Sequence, residues 1–275
     1  MRTNLLRLVG RWTSEFLIFV LTLFVLLPIF LTVLGAFKNE KEAAELALAF
    51  PTQWIWSNVT NLLFNVKFKH ALVNSVVYTV VGVAISLLVN SLCAYILARR
   101  VTKFTHLIYY VFVAGLIIPP FVIPQIRVMQ QLHLMNTFSG TILLFVCGSI
   151  PFSIFLFTGF IKTISATLDE AAFVDGSGPI RTFFQIIFPL LQPVAVTLGI
   201  FVAIGIWNDF QVSLYFIRSP ENQPVTMWLY KNVSQHSTQW SLVFASMLLV
   251  MTPLILVYAF AQKYIVEGLT AGAVK

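Results

Sequence analysis

The feature that most limits what this chain can fold into is its series of long apolar runs. A helix needs about 20 consecutive apolar residues to span a bilayer core. Runs of that order cover residues 15–37, 71–98, 106–125, 138–161, 193–217 and 242–261. Thr22, Pro28 and Thr32 break the first, and Pro28 predicts a kink there. The third holds Pro119, Pro120 and Pro124, so it should bend or end early. Of 275 residues, 59% are hydrophobic and only 10% charged, whereas soluble domains are about a quarter charged. So short a chain cannot hide this much apolar surface from water, and the excess must face lipid. The expectation is an all-α integral membrane protein with six transmembrane helices.

The net charge of +7 would point to nucleic acid in a soluble protein. Here the basic residues sit between apolar runs, so the lipid bilayer is the partner they imply and nucleic acid is not. Arg2, Arg7 and Arg11 precede a first run longer than the 7–15 residues of a signal core, which is read as an anchor. With the N-terminus in the cytoplasm, ten basic residues fall inside and seven outside, the bias that sets orientation. The segments are then a cytoplasmic N-terminus (1–14), a first span (15–37), an external loop (38–70), a core of five spans (71–265) and a cytoplasmic tail (266–275). In the external loop, Trp54 and Trp56 could anchor at the interface or meet an external protein.

Chemistry-bearing groups are sparse. Cys93 and Cys147 lie within apolar runs, which argues against a disulfide. His70, His106, His133 and His236 are scattered without a carboxylate cluster, so no metal is assigned. No Ser-His-Asp or paired-carboxylate grouping predicts a catalytic residue, and the chain reads as a transport subunit, not an enzyme. No GxxxxGK[ST] loop is present, so nucleotide would have to be bound elsewhere.

The loop at 162–192 has a detailed local grammar. Thr167-Leu-Asp-Glu170 has the spacing of a capping box, with Thr167 as the N-cap. The short helix that follows should stop at Gly176. Ser177 could cap a second helix, with Pro179 in its first turn and Pro189 as its end. This predicts a helix-turn-helix hairpin. It could lie on the membrane as an amphipathic loop, with Glu170 merely a cap, or it could dock another subunit.

The segment Glu170-Ala-Ala-Phe-Val-Asp-Gly176, followed by Ile186-Ile-Phe-Pro189, resembles the EAA loop of ABC importer permeases: EAA, three residues, Gly, nine residues, I-x-L-P. Phe188 stands where the family usually has Leu. Ala94-Tyr-Ile-Leu-Ala-Arg99, Ile118-Pro-Pro120, Leu134-Met-Asn-Thr137, Trp207-Asn-Asp-Phe210 and the tail Gly268-Leu-Thr-Ala-Gly-Ala-Val-Lys275 resemble the maltose-type, MalG-like carbohydrate permeases. The resemblance implies a type I importer fold in the bacterial cytoplasmic membrane, working by alternating access on a sugar. It implies a second permease, two ATPase subunits that bind ATP and Mg, and an extracytoplasmic solute-binding protein. This chain would hold no cofactor of its own. It further implies that Glu170, Ala171, Ala172 and Gly176 contact the ATPase, with Asp169 and Asp175 adding charge toward it. In this family the segment from Arg218 to Trp240 can reach toward the solute-binding protein.

Asp209 is the acid deepest in a predicted span, and a carboxylate there should face the bundle or a watery path. It is either a pore or substrate contact, with Trp207 and Asn208, or one half of an interhelical hydrogen bond. Asn74, Asn90 and Gln125 read as polar glue between helices. A coupled secondary carrier is the main competing class. The absence of a visible repeat argues against it, as does the presence of only one clear intramembrane acid.

Overall fold

A computed structural model describes residues 2–234 and 239–271, with side chains described for 12–231 and 239–259. The helices are α1 (Arg2–Ala36), α2 (Glu40–Ala44), α3 (Ser57–Phe64), α4 (Val66–Arg99), α5 (Lys103–Ala114), α6 (Val122–Gln131) and α7 (Phe138–Ile161). They continue as α8 (Thr167–Val174), α9 (Pro179–Thr182), a π-helical turn (Phe183–Ile187), α10 (Phe188–Leu190), α11 (Gln192–Trp207), α12 (Gln211–Phe216), α13 (Val225–Ser234) and α14 (Trp240–Ala271). His236 and residues 272–275 of the tail lie outside the described residues.

Four described helices are long and apolar enough to cross a membrane: Trp12–Ala36, Val66–Arg99, Phe138–Ile161 and Trp240–Ala259. A fifth follows if Pro179–Leu190 and Gln192–Trp207, bent by 78° at Leu191, form one span. The first run keeps its apolar side chains outward, with Phe16 69%, Phe24 71% and Val25 66% exposed. That surface is stable only in lipid. The expected third span is two shorter helices. Helix α5 has 12 residues, about 18 Å, and the chain breaks at the Pro119-Pro120 pair before α6 begins.

The chain falls into two compact units. In Met1–Lys69 with Leu229–Pro253, the loop after α1 is folded. Asn39 caps α2 by accepting from Glu42 N, and Lys38 Nζ donates to Ala47 O at 2.6 Å. Phe37 packs on both Trp54 and Trp56, with ring centroids 5.6 and 4.6 Å away. The Glu40 carboxylate accepts from Trp240 N at 2.6 Å and Ser241 Oγ at 2.7 Å, capping α14 from 200 residues away. A negative group suits that helix N-terminus. Gly35 of α1 lies so close to the Phe244 ring that a Cβ there would sit 2.4 Å from it.

In His70–Trp228 with Leu254–Lys275, α4, α7 and α11 share a core that includes Ala94, Phe157, Ile161, Leu191 and Leu198. Gly82 of α4 brings the backbone against Ile206 of α11, the close approach small residues permit in membrane bundles. Helices α4 and α7 run parallel. At their C-terminal ends, Arg99 Nη1 donates to Ile164 O at 3.1 Å and Ile161 O at 3.4 Å. At their N-terminal ends, Asn222 accepts from Tyr78 OH at 3.0 Å and donates to Asn136 O at 3.1 Å. The chain between two parallel neighbours must return the length of the helices, and α5 with α6 is that return.

Candidate functional site

Two places in the second unit bring predicted site residues together. The first is the hairpin of α8, its turn and α9. Helix α8 ends in a Schellman motif: Ser177 N donates to Ala172 O at 2.9 Å and Gly176 N to Phe173 O at 3.0 Å. Gly176 has φ +78°, the left-handed conformation this turn requires. The predicted capping box is not formed. Helix α8 begins one residue earlier, with Ala166 as N-cap and Thr167 already helical. Two contacts set this start: Ser165 Oγ accepts from Thr167 N, and Arg99, reaching from α4, holds the carbonyls of Ile161 and Ile164 just before it. This frame puts Asp169, not Glu170, at the third helical position.

The second arm also differs from expectation. Gly178 stands at the N-cap of α9, without a side-chain bond, and Pro179 follows in the first turn. Pro189 does not end the helix. The π-turn before it carries Phe188 N to Phe183 O. Such a turn widens the helix where the proline ring would otherwise crowd the preceding carbonyl. The sharp bend comes two residues later, at Leu191.

Of the predicted hairpin residues, Glu170, Ala171, Asp175 and Gly176 are exposed and Ala172 is buried. Exposed with them are Phe173 (75%), Val174 (87%) and Ile180 (73%). Asp169 faces inward. Its carboxylate pairs with Arg99 Nη2 at 2.9 Å and accepts from Tyr95 OH at 2.5 Å. The Tyr95 ring also lies 5.3 Å from that of Phe183 on the other arm. Neither Tyr95 nor Arg99 was singled out from the sequence as a site residue. Their four-residue spacing, one face of one helix, was the available signal.

The second place surrounds Asp209, between α11 and α12. Its Oδ1 accepts from Val212 N at 3.0 Å and Ser213 N at 3.3 Å, a local cap on α12 and not an interhelical pair. Asp209 lines two cavities of about 410 and 370 Å³, sizes usual for small-molecule sites. The first is mostly apolar, with Phe152, Phe201 and Ser149. The second adds Gln125, Gln211 and Cys147. Trp207 and Asn208 line neither: Trp207 is buried, and Asn208 Nδ2 donates back to Ile204 O at 3.0 Å.

The other polar candidates act as ties. Asn90 donates to Ser149 at 3.1 Å, joining α4 to α7. Asn74 donates to Glu221 O and Gln223 O. Asn136, at φ +60°, accepts from Arg218 N and Ser219 N, an anchoring role that sequence reasoning missed. Among the described residues no three His, Cys, Asp or Glu side chains converge as metal ligands.

The fold is a set of long apolar helices with an exposed helical hairpin between α7 and α11. The chain belongs to the family of binding-protein-dependent transport system inner membrane components, whose pattern matches residues 90–270. It is similar to the melibiose/raffinose/stachyose import permease protein MelC of Bacillus subtilis, 31% identical over 82% of this chain and 83% of that one. It is also similar to the multiple sugar-binding transport system permease protein MsmG of Streptococcus mutans, 32% identical over 91% and 92%. In fold it matches a chain of a bacterial ABC transporter involved in import of the acidic polysaccharide alginate. There the TM-score is 0.85 at 23% identity, over 93% of this chain and 96% of that one. The chain is thus a multi-pass membrane permease of the ABC importer kind.

Proposed function

We propose that this chain is the permease subunit of an ATP-driven sugar importer, coupled to a separate ATPase through the α8–α9 hairpin. The observation that carries the proposal is the hairpin itself. A capped, glycine-turned lever exposes Glu170, Ala171 and Asp175 beside the apolar Phe173, Val174 and Ile180. Exposed apolar side chains beside acids suit an element that docks a protein. Several similar permeases are named for sugars, which is the basis for the substrate class.

The assembly would contain a second permease, two ATPase subunits holding ATP and Mg, and an extracytoplasmic solute-binding protein. This chain would bind no cofactor. Both termini and the hairpin would lie in the cytoplasm, with α5 and α6 together forming the sixth crossing. Alternating access would carry the sugar past Asp209, which lines one cavity between α7, α11 and α12 and another between α6, α7 and α12.

The test is affinity capture of the gently solubilised subunit beside its Glu170→Lys variant. The expected result is recovery of a second permease and an ATPase, with the ATPase weakened in the variant and uptake lost. Gly176→Pro should act likewise, because proline cannot adopt the positive φ of that turn. Capture without any ATPase would reject the proposed coupling through the hairpin.

A further inference from the structure

Helix α4 touches the hairpin at one end and a loop at the other. Its chain is not continuous with the hairpin, unlike α7 before it and α11 after it, so contact with the hairpin must come through side chains. At the hairpin end, Tyr95 and Arg99 lie one turn apart and grip the same carboxylate, Asp169. Arg99 and Asp169 are 17% and 19% exposed, so solvent screens this pair only weakly. The guanidinium simultaneously donates to Ile161 O and Ile164 O. A planar fork can serve three acceptors on two elements at once, which a lysine ammonium does less well.

Toward the other end, three α4 side chains hold residues 221–225: the neighbours Asn74 and Ser75, and Tyr78 one turn on. Asn74 Nδ2 donates to Glu221 O at 2.6 Å, Val225 N donates to Ser75 Oγ at 2.9 Å and Tyr78 OH donates to Asn222 O at 3.0 Å. Between Asn74 and Arg99 α4 runs unbroken and without proline, about 38 Å of helix. Asn90 ties its middle to α7 through Ser149.

We propose that Tyr95 and Arg99 clasp the hairpin to α4, and that α4 is the strut carrying the hairpin's displacement to the loop at 221–225. This rests on the reading of the hairpin as the ATPase-coupling element. Tyr95, Arg99 and Asp169 are then positioning residues: they touch neither nucleotide nor sugar. The strut moves the loop because both ends are held by hydrogen bonds with defined geometry and the rod between them resists bending.

The experiment places a fluorophore on Glu221→Cys, with Cys93 and Cys147 replaced by Ser, in the captured assembly with its ATPase. Glu221 meets α4 through its backbone oxygen, so its side chain is available for the label. In the parent, ATP should shift the emission. In Asp169→Asn the ATPase should remain bound while the shift falls by about threefold or more. Tyr95→Phe keeps the ring against Phe183 and removes only the hydroxyl, so it should give a smaller loss in the same direction even if Arg99→Met fails to fold. A full shift in Asp169→Asn with the ATPase bound overturns the clasp. So does a parent that binds its ATPase and shows no shift. Release of the ATPase by Asp169→Asn overturns it differently, by making Asp169 a docking residue. A parent that never captures an ATPase fails at the earlier step and rejects the coupling reading itself.

Discussion

At the residue scale, Gly176 shows how one backbone angle fixes a functional turn. Nothing lies within 4 Å of a Cβ added there, so the cost of a side chain is conformational and not steric. Gly176→Ala should destabilise the turn by about 1–2 kcal/mol. Hydrogen exchange at Ser177 N, which bonds Ala172 O, should quicken about tenfold. Gly176→Asn should be milder, since Asn tolerates this region. Glu42 offers a second residue-scale test. Its carboxylate is bonded by the Thr52 hydroxyl, which holds its pKa below the usual range against a smaller opposing effect of desolvation. A lowered folded-state pKa contributes stability above the unfolded value, and that contribution is lost as pH falls through the folded value. The stability lost on Thr52→Val, read by thermal unfolding, should therefore shrink between neutral pH and an acid pH below the lowered pKa of Glu42. Near neutral pH the parent should be the more stable. An equal difference at both pH values would refute the assignment.

At the element scale, the contact of α1 with α14 rests on Gly35. A Cβ there would meet the Phe244 ring, whose atoms are fixed by their own plane and cannot yield like a chain end. Gly35→Ala should cost about 1–3 kcal/mol of thermal stability in detergent, and Phe244→Ala in the same chain should recover part of it. Additive losses would mean the two do not meet. The element scale also shows what the sequence could reveal. The apolar runs at 138–161 and 71–98 coincide closely with α7 and the body of α4, because length and hydrophobicity alone decide a span. Gly176 was legible as a helix stop because few other residues serve there. The start of α8 was not: a capping box is a local pattern, and Arg99, 66 residues before Ser165, sets the preceding carbonyls instead. The pairing of Asp169 with Arg99 and Tyr95 was hidden for the same reason. Its partners Tyr95 and Arg99 come from another helix, and no local rule connects them. Asp209 was legible as unusual, but its cap on α12 required knowing that α11 ends at Trp207.

At the scale of the whole molecule, the number of crossings decides which side of the membrane the hairpin occupies. Helices α4 and α7 are parallel, since Arg99 joins their C-terminal ends and Asn222 their N-terminal ends. If both cross the bilayer, α5 and α6 must return across it, although neither is long enough alone. Were the pair to dip in and go back, α7 would run against α4 and the hairpin would emerge opposite the end of α4. That arrangement is incompatible with the ion pair of Arg99 and Asp169. The same count governs the termini, because an even number of crossings leaves them on one side. The prediction is that Lys103→Cys and Arg127→Cys, in a chain without Cys93 and Cys147, react with an impermeant thiol reagent from opposite faces. Lys103 should label only from the cytoplasmic side, together with a cysteine at Asp175. Labelling of Lys103 and Arg127 from the same face would leave the hairpin beyond reach of a cytoplasmic ATPase. The parallel packing of α4 and α7 would then be wrong, and so would every step that passes through their shared end.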